Sequence, residues 1–355
     1  MPAKPCIVIV TPALAEANNG NWRTARRWAA MLSPAYRVRL TKHWTAGEGA
    51  AAGDVLMIAL HARRSAASVA AWRAAQGDHG DGGSAPLLLV LTGTDLYRDI
   101  DTDTDARRSL ALADRLVVLN ELGAARLPEA LRGRCAVVLQ SSPARRAVAT
   151  KPERYLRALM VGHLRGEKDP ATWFRAIARL AARTDLRFDH IGGALDATLA
   201  EAARALMAQV PAYRWLGERT HGEVRRRIAA AHVLVHPSVM EGGAQVVIEA
   251  IRSGTPVLAS RMDGNVGLLG AVYGGYFAVG DDAALAALLE RARDDPAMLP
   301  ALVRQIERRA PLFAPEAEAL ALHRLVGELL AGAAASRGAV AATATPPAEV
   351  VGDPR

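Results

Sequence analysis

The sequence predicts an α/β protein with two tandem domains, each a parallel sheet covered by helices on both faces. Three observations lead there. The chain has 355 residues, enough for two domains. Hydrophobic residues make up 51% of it, which supports a large buried core and excludes a disordered chain. Short β-branched runs alternate with Ala-rich amphipathic stretches along nearly the whole length.

The strand candidates of the first half are Cys6–Pro12, Tyr36–Thr41, Val55–Leu60, Leu87–Leu91, Arg115–Leu119 and Cys135–Gln140. Helical patterns such as Trp22–Leu32 and Ser65–Ala75 lie between them. Ser141–Arg154 is a polar stretch with two prolines and reads as a linker. The alternation then restarts with Leu156–Gly162, Leu186–Ile191, Tyr213–Leu216, Val233–His236, Val257–Ala259 and Tyr276–Val279. Helices from about Asp282 to Ala331 close the second half, and the tail from residue 335 lacks periodicity and reads as disordered. The expected division is therefore residues 1–145, 146–334 and a tail of 335–355.

Composition narrows the function. No apolar run approaches the roughly 18–20 residues of a bilayer-spanning helix. The opening MPAKPCIVIVTPA reads as a first strand and not a secretory leader. Cys6 and Cys135 sit in apolar strand-like runs and read as core thiols of a reducing cytoplasm, without the spacing of a zinc site. The formal charge is +8, with 40 Arg against 4 Lys. These arginines are scattered, so the balance fits anionic small substrates better than nucleic acid.

In open parallel sheets, ligands bind at the carboxyl ends of the strands. Chemistry is therefore sought in the loops that follow strands, in a cleft between two facing domains. His236 to Ser260 is the strongest segment: a strand, a Gly242–Gly243 turn, a helix opening near Ala244, and a Ser253-Gly254-Thr255-Pro256 stop before the next strand. Glycines just before a helix let a ligand approach backbone amides, and the helix start favours negative charge. Glu241 and Glu249 lie on this segment with seven residues between them. In Met160 to Pro170, His163, Arg165 and Lys168 follow a strand, and Asp169 is placed to cap the next helix. A compact lysine charge suits a diphosphate.

These segments, GHLRGEKDP, HIGG, YRWLGE and HPSVMEGG…IEA…SGTPVLAS, resemble the carboxyl-terminal half of the GT-B glycosyltransferases of the retaining, sucrose-synthase-like family. The resemblance implies two Rossmann-like domains facing across a cleft. Lys168 would contact the donor diphosphate, Glu241 the donor sugar, and Glu249 the ribose hydroxyls. The amides around Gly242, Gly243 and Ala244 would face the phosphates or sugar. His163 stands where the family commonly has Arg, and Arg165 is the substitute cation. With NNGNWRTARRW, ALHARRSA, LTGTDLYRDI and ADRLVVLN, the likeness extends to the selenosugar synthases of bacterial selenoneine biosynthesis. That family joins UDP-N-acetylglucosamine to selenophosphate, and the resemblance implies the same substrates here.

The amino-terminal motifs read physically as an anion rim. Asn18, Gly20, Asn21 and Arg23 surround a helix start after the first strand. His61, Arg63 and Arg64 follow the third strand, with Ser65 as a helix cap, and Thr92, Gly93, Thr94 and Asp95 follow the fourth. All three loops are candidates for holding the acceptor. Asp101, Asp103 and Asp105 read as a helix-initiating loop, because Ala106 and Leu112 replace the Gly and Glu of a calcium loop. His221, His232 and His323 lack partners at ligand spacing and read as surface or core residues.

The expected reaction needs no metal or other cofactor: Lys168, Arg165 and the amides stabilise charge developing on the diphosphate. Another UDP-sugar hexosyltransferase, a UDP-N-acetylglucosamine epimerase, and a nucleotide- or RNA-binding protein on the same fold are the alternatives. Aromatic residues are 5% of the chain, which counts against a lipid acceptor. The first strand–helix turn lacks the glycine fingerprint of a nicotinamide site.

Overall fold

The computed structural model describes residues 3–14, 20–47, 53–75, 85–145 and 151–343. Among the described residues, twelve strands form where the apolar runs predict them: β1 Cys6–Val10, β2 Arg37–Thr41, β3 Asp54–Leu60, β4 Leu87–Leu91, β5 Arg115–Val118, β6 Cys135–Val137, β7 Leu156–Val161, β8 Leu186–Ile191, β9 Tyr213–Trp215, β10 Val233–His236, β11 Val257–Ser260 and β12 Tyr276–Phe277. They make two six-stranded sheets, ordered β2-β1-β3-β4-β5-β6 and β12-β11-β10-β7-β8-β9. The central pairs are parallel, as in Ile7↔Leu56 of β1–β3 and Leu234↔Leu159 of β10–β7.

The helices are α1 Gly20–Leu32, α2 Ala66–Ala75, α3 Ile100–Thr102, α4 Thr104–Leu112, α5 Glu129–Arg132, α6 Pro170–Arg179, α7 Ala197–Gln209, α8 His221–Ala230, α9 Gln245–Ile251, α10 Asp263–Leu269, α11 Asp282–Asp294, α12 Met298–Arg309 and α13 Pro315–Thr343. Helices separate nearly all the strands, so the expected α/β class, with two parallel sheets, holds. Among the described residues, no helix is long and apolar enough to cross a membrane.

The chain divides into two compact units. The first comprises Met1–Val90, Asp103–Leu116 and Leu320–Arg355, and the second Leu91–Thr102 and Val117–Ala319. In the first unit, every residue of β1 is buried, and Trp28 of α1 is fully enclosed. Trp44 meets Trp72 of α2 edge-on at 5.0 Å, a favoured aromatic geometry. His323 of α13 donates from Nε2 to the Met31 carbonyl at 2.8 Å and stacks on Tyr36.

The aspartate run does initiate a helix: Asp103 caps α4 by accepting from the Ala106 amide at 2.8 Å. Two expectations change. Cys135 lies on β6 at a sheet edge and is half-buried, unlike the buried Cys6. Residues 335–343 are helical, because an Ala-rich segment of high helix propensity extends α13 despite its missing periodicity; residues 344–355 lie outside the described residues.

In the second unit the sheet reverses its strand order between β7 and β10. Such a reversal leaves a crevice at the carboxyl ends of the two strands, the usual ligand position in doubly wound folds. Its core packs Trp173 of α6 against Phe188 of β8 at 5.5 Å, with Ile248 and Ile251 of α9 in the same apolar cluster.

Candidate functional site

The loops that leave β7 and β10 meet at this switch point. The Val239 amide donates to the Glu167 carbonyl at 3.0 Å, tying one loop to the other. A short 3₁₀ turn, Gly166–Lys168, then brings the Lys168 ammonium onto Glu241 Oε1. Asp169 ends the turn in the left-handed region at φ +45° and caps α6 by accepting from the Thr172 amide at 3.2 Å. This backbone is disfavoured for a residue with Cβ, and the cap holds it there.

Lys168 and Glu241 have side chains 16% and 13% exposed, so water screens their attraction little. Burial opposes ionisation of Glu241, but Lys168, and His236 at 3.6 Å, outweigh it and hold the carboxyl far below the usual carboxylate range. His236 is itself buried, with Nε2 3.3 Å from the Ser238 hydroxyl. Arg165 is exposed, 3.9 Å from Glu167, whose carboxylate also lies 3.5 Å from Arg98.

Two histidines set the shape of the β7 loop. His163 Nδ1 accepts from the Gly193 amide at 2.9 Å. An amide only donates, so the ring is neutral while this bond stands and carries its proton on Nε2. At this position the site therefore offers a hydrogen bond and not a fixed positive charge. His190 lies beneath it. Its Nε2 donates to the Gly162 carbonyl at 3.0 Å, and its Nδ1 accepts from the Tyr213 hydroxyl at 3.1 Å. Gly192 must be glycine, because a Cβ there would stand 1.8 Å from the Gly162 carbonyl oxygen.

Burial pushes His190 down to about 4. Between about pH 6.5 and pH 4 the unfolded chain holds a proton that the folded chain refuses, so stability drops as the solution is acidified across that window. The full shift is worth on the order of 3 kcal/mol. His190→Gln is expected to flatten this part of the melting temperature–pH profile; an unchanged acid slope would refute the assignment.

In the Gly242–Gly243 turn, Gly242 is buried and Gly243 is half-buried. A Cβ on Gly242 would meet the Thr92 carbonyl oxygen at 2.4 Å and the Gly93 nitrogen at 2.7 Å. Thr92 and Gly93, read from sequence as an acceptor loop, thus pack in the same unit against the turn read as donor-binding. The Gly242 glycine is required for this close backbone contact. The buried Asp95 carboxylate accepts from the Thr92 amide at 2.9 Å and the Gly93 amide at 2.8 Å, shaping the loop, while Thr94 is half-buried beside it. A π-helical turn over Asp95–Asp99 carries Tyr97 and Arg98.

Glu249, on α9, is buried, and its Oε1 lies 2.6 Å from His221 Nε2 at the start of α8. No local pattern in the chain signals this partner, because 28 residues separate the two. His221, expected to be a surface or core residue, therefore partners a candidate site residue. His232 does behave as a structural residue: Nδ1 accepts from the Arg157 amide at 2.9 Å.

In the first unit, the strand order reverses between β1 and β3. Gly20, Asn21 and Arg23 lie on the first turn of α1, which begins two residues before the expected Trp22. Asn18 lies outside the described residues. His61 follows β3, is buried, and adopts a left-handed φ of +75°, while Arg63 and Arg64 are exposed. The Arg64 amide donates to His61 Nδ1 at 3.3 Å, and Ser65 uses its hydroxyl on the Leu60 carbonyl at 2.6 Å.

Among the described residues, no three His, Cys, Asp or Glu side chains cluster to hold a metal ion. A cavity of about 470 Å³, lined by Lys151, His232, Pro256 and Leu299, opens by the amino ends of β10 and β11, away from the switch-point loops.

Residues 141–310 match the family described as Glycosyl transferases group 1. The chain is 32% identical to a D-inositol 3-phosphate glycosyltransferase of Streptomyces avermitilis over 232 residues, covering 58% of this chain and 49% of that protein. The match thus spans about half the length of that relative. Among solved structures, sucrose-phosphate synthase from Thermosynechococcus elongatus superposes with a TM-score of 0.73 at 19% identity, covering 92% of this chain and 99% of the other. HepE of Anabaena, solved with UDP-glucose, gives 0.71 at 13% identity, with 91% and 99% coverage. The chain has the GT-B fold, and its residues 141–310 are similar to the glycosyl transferases group 1 family.

Proposed function

We propose that this protein is a glycosyltransferase that uses a UDP-sugar donor, UDP-N-acetylglucosamine, and the anionic acceptor selenophosphate. One observation carries the donor half of this reading. Lys168 and Glu241, 73 residues apart in sequence, meet where the second sheet reverses its strand order. Two similar proteins add support: the S. avermitilis relative is named a glycosyltransferase, and HepE was solved with UDP-glucose. The acceptor half rests on the amino-terminal motifs and on the resemblance they carry.

In the proposed reaction, Lys168 exchanges Glu241 for the donor diphosphate. His163 Nε2–H and the amides of the Gly242–Gly243 turn add hydrogen bonds, and Glu249 accepts from the ribose hydroxyls. Glu241, held ionised, faces the developing positive charge of the sugar. Selenium attacks the anomeric carbon, a C–Se bond forms, and the C–O bond breaks with its electron pair leaving on UDP. Hydrolysis of the P–Se bond then gives phosphate and the selenosugar. An anionic selenium nucleophile needs no general base. Lys168 and the amides supply the charge stabilisation that other transferases take from a metal ion.

The test is mass spectrometry of reactions with UDP-N-acetylglucosamine, without and with selenophosphate. A selenosugar formed only when selenophosphate is present, with one UDP for each sugar transferred, is expected. Isomerised sugar nucleotide without acceptor would make the chain an epimerase, and transfer only to carbohydrate acceptors would make it another hexosyltransferase.

A further inference from the structure

We infer that Asn120 is a positioning residue, which sets the direction of the Gly242–Gly243 peptide and so aims the Gly243 N–H at the donor. The inference rests on the donor reading of this turn. Asn120 follows β5 and is fully buried. Its Nδ2 donates to the Gly242 carbonyl at 2.7 Å and lies 3.0 Å from the Tyr97 hydroxyl, while its Oδ1 accepts from the Leu122 amide at 3.0 Å. The amide cannot be reversed, because a carbonyl only accepts and a backbone N–H only donates.

Within a planar peptide, C=O and N–H point in opposite directions. Fixing the Gly242 carbonyl on Asn120 therefore turns the Gly243 N–H away from Asn120. Glycines on both sides of this peptide leave its plane free to rotate, so local conformation alone does not select one orientation. The surroundings hold the turn in place. A Cβ on Gly264 would stand 2.1 Å from the Glu241 carbonyl oxygen, and one on Gly243 would stand 2.7 Å from Gln140 Oε1. Among the described residues, Asn120 is the hydrogen-bond donor to the Gly242 carbonyl. The Tyr97 hydroxyl keeps the Asn120 amide in register, giving the π-helical turn at Asp95–Asp99 a task in the donor site.

Glycine labelled with ¹³C at its carbonyl and ¹⁵N at its amide gives one-bond ¹³C–¹⁵N coupling only at Gly-Gly sequences. There are four, at 82–83, 192–193, 242–243 and 274–275. Adding UDP to the full chain is expected to shift the Gly243 amide most. In Asn120→Ala that shift should shrink to the level of the other pairs, and UDP-sugar turnover should drop about tenfold or more. Tyr97→Phe, which removes only the hydroxyl beside Asn120, should show a smaller loss of the same kind and covers the case where Asn120→Ala fails to fold. A Gly243 amide that responds to UDP equally in wild type and variants, with equal turnover, overturns the inference and leaves the donor reading standing. An amide indifferent to UDP in the wild type overturns both.

Discussion

Lys168→Ala is expected to lower turnover by about 10²–10³, the usual cost of losing one charged contact to a developing oxyanion. The effect is large because the ammonium reaches directly into the switch point, in a slot where its side chain is 16% exposed. Arg165 is exposed and turned to Glu167, and His163 is neutral while it accepts from the Gly193 amide. Neither replaces a point charge reaching inward. Lys168→Arg should recover only part of the rate, since a planar guanidinium fits this slot poorly. Removing Lys168 also leaves Glu241 without its closest cation and beside His236, so its carboxyl should titrate closer to the normal range. Near-wild-type turnover of a folded Lys168→Ala variant would remove the diphosphate role.

Glu249→Ala should act on binding. A buried carboxylate accepting from ribose hydroxyls contributes about 1.5–3 kcal/mol per charge-assisted bond, so affinity for the UDP-sugar should weaken roughly 10–100-fold. Turnover at saturating donor should change much less, because the ribose is remote from the breaking bond. His221→Ala keeps the carboxylate and should weaken binding far less than Glu249→Ala. Calorimetry settles both: unchanged affinity in Glu249→Ala would refute the ribose assignment.

The strands were legible because parallel strands buried on both faces are continuous apolar runs, as in CIVIV of β1 and LLLVL of β4. Lys168 and Glu241 were legible as residues in loops after strands, Glu249 as a residue of the helix that follows, and all three as parts of a resemblance. Their partners were harder to read. Asn120 ends the motif ADRLVVLN, yet the carbonyl it holds lies 122 residues away. His221 looks solitary in sequence because helix packing, not spacing, brings it to Glu249. Gly242 was read as an opening for a ligand, whereas Thr92 and Gly93 fill the space beside it. Helix α13 outran its pattern for a different reason: propensity extends an Ala-rich helix where no amphipathic stripe marks it.

A crystal structure of the protein with bound UDP tests the donor site most directly. The diphosphate is expected within hydrogen-bond distance of the Lys168 ammonium and the Gly243 amide, with both ribose hydroxyls on Glu249. UDP bound instead in the groove beside Lys151 and His232, or anywhere remote from Lys168 and Glu249, would contradict it.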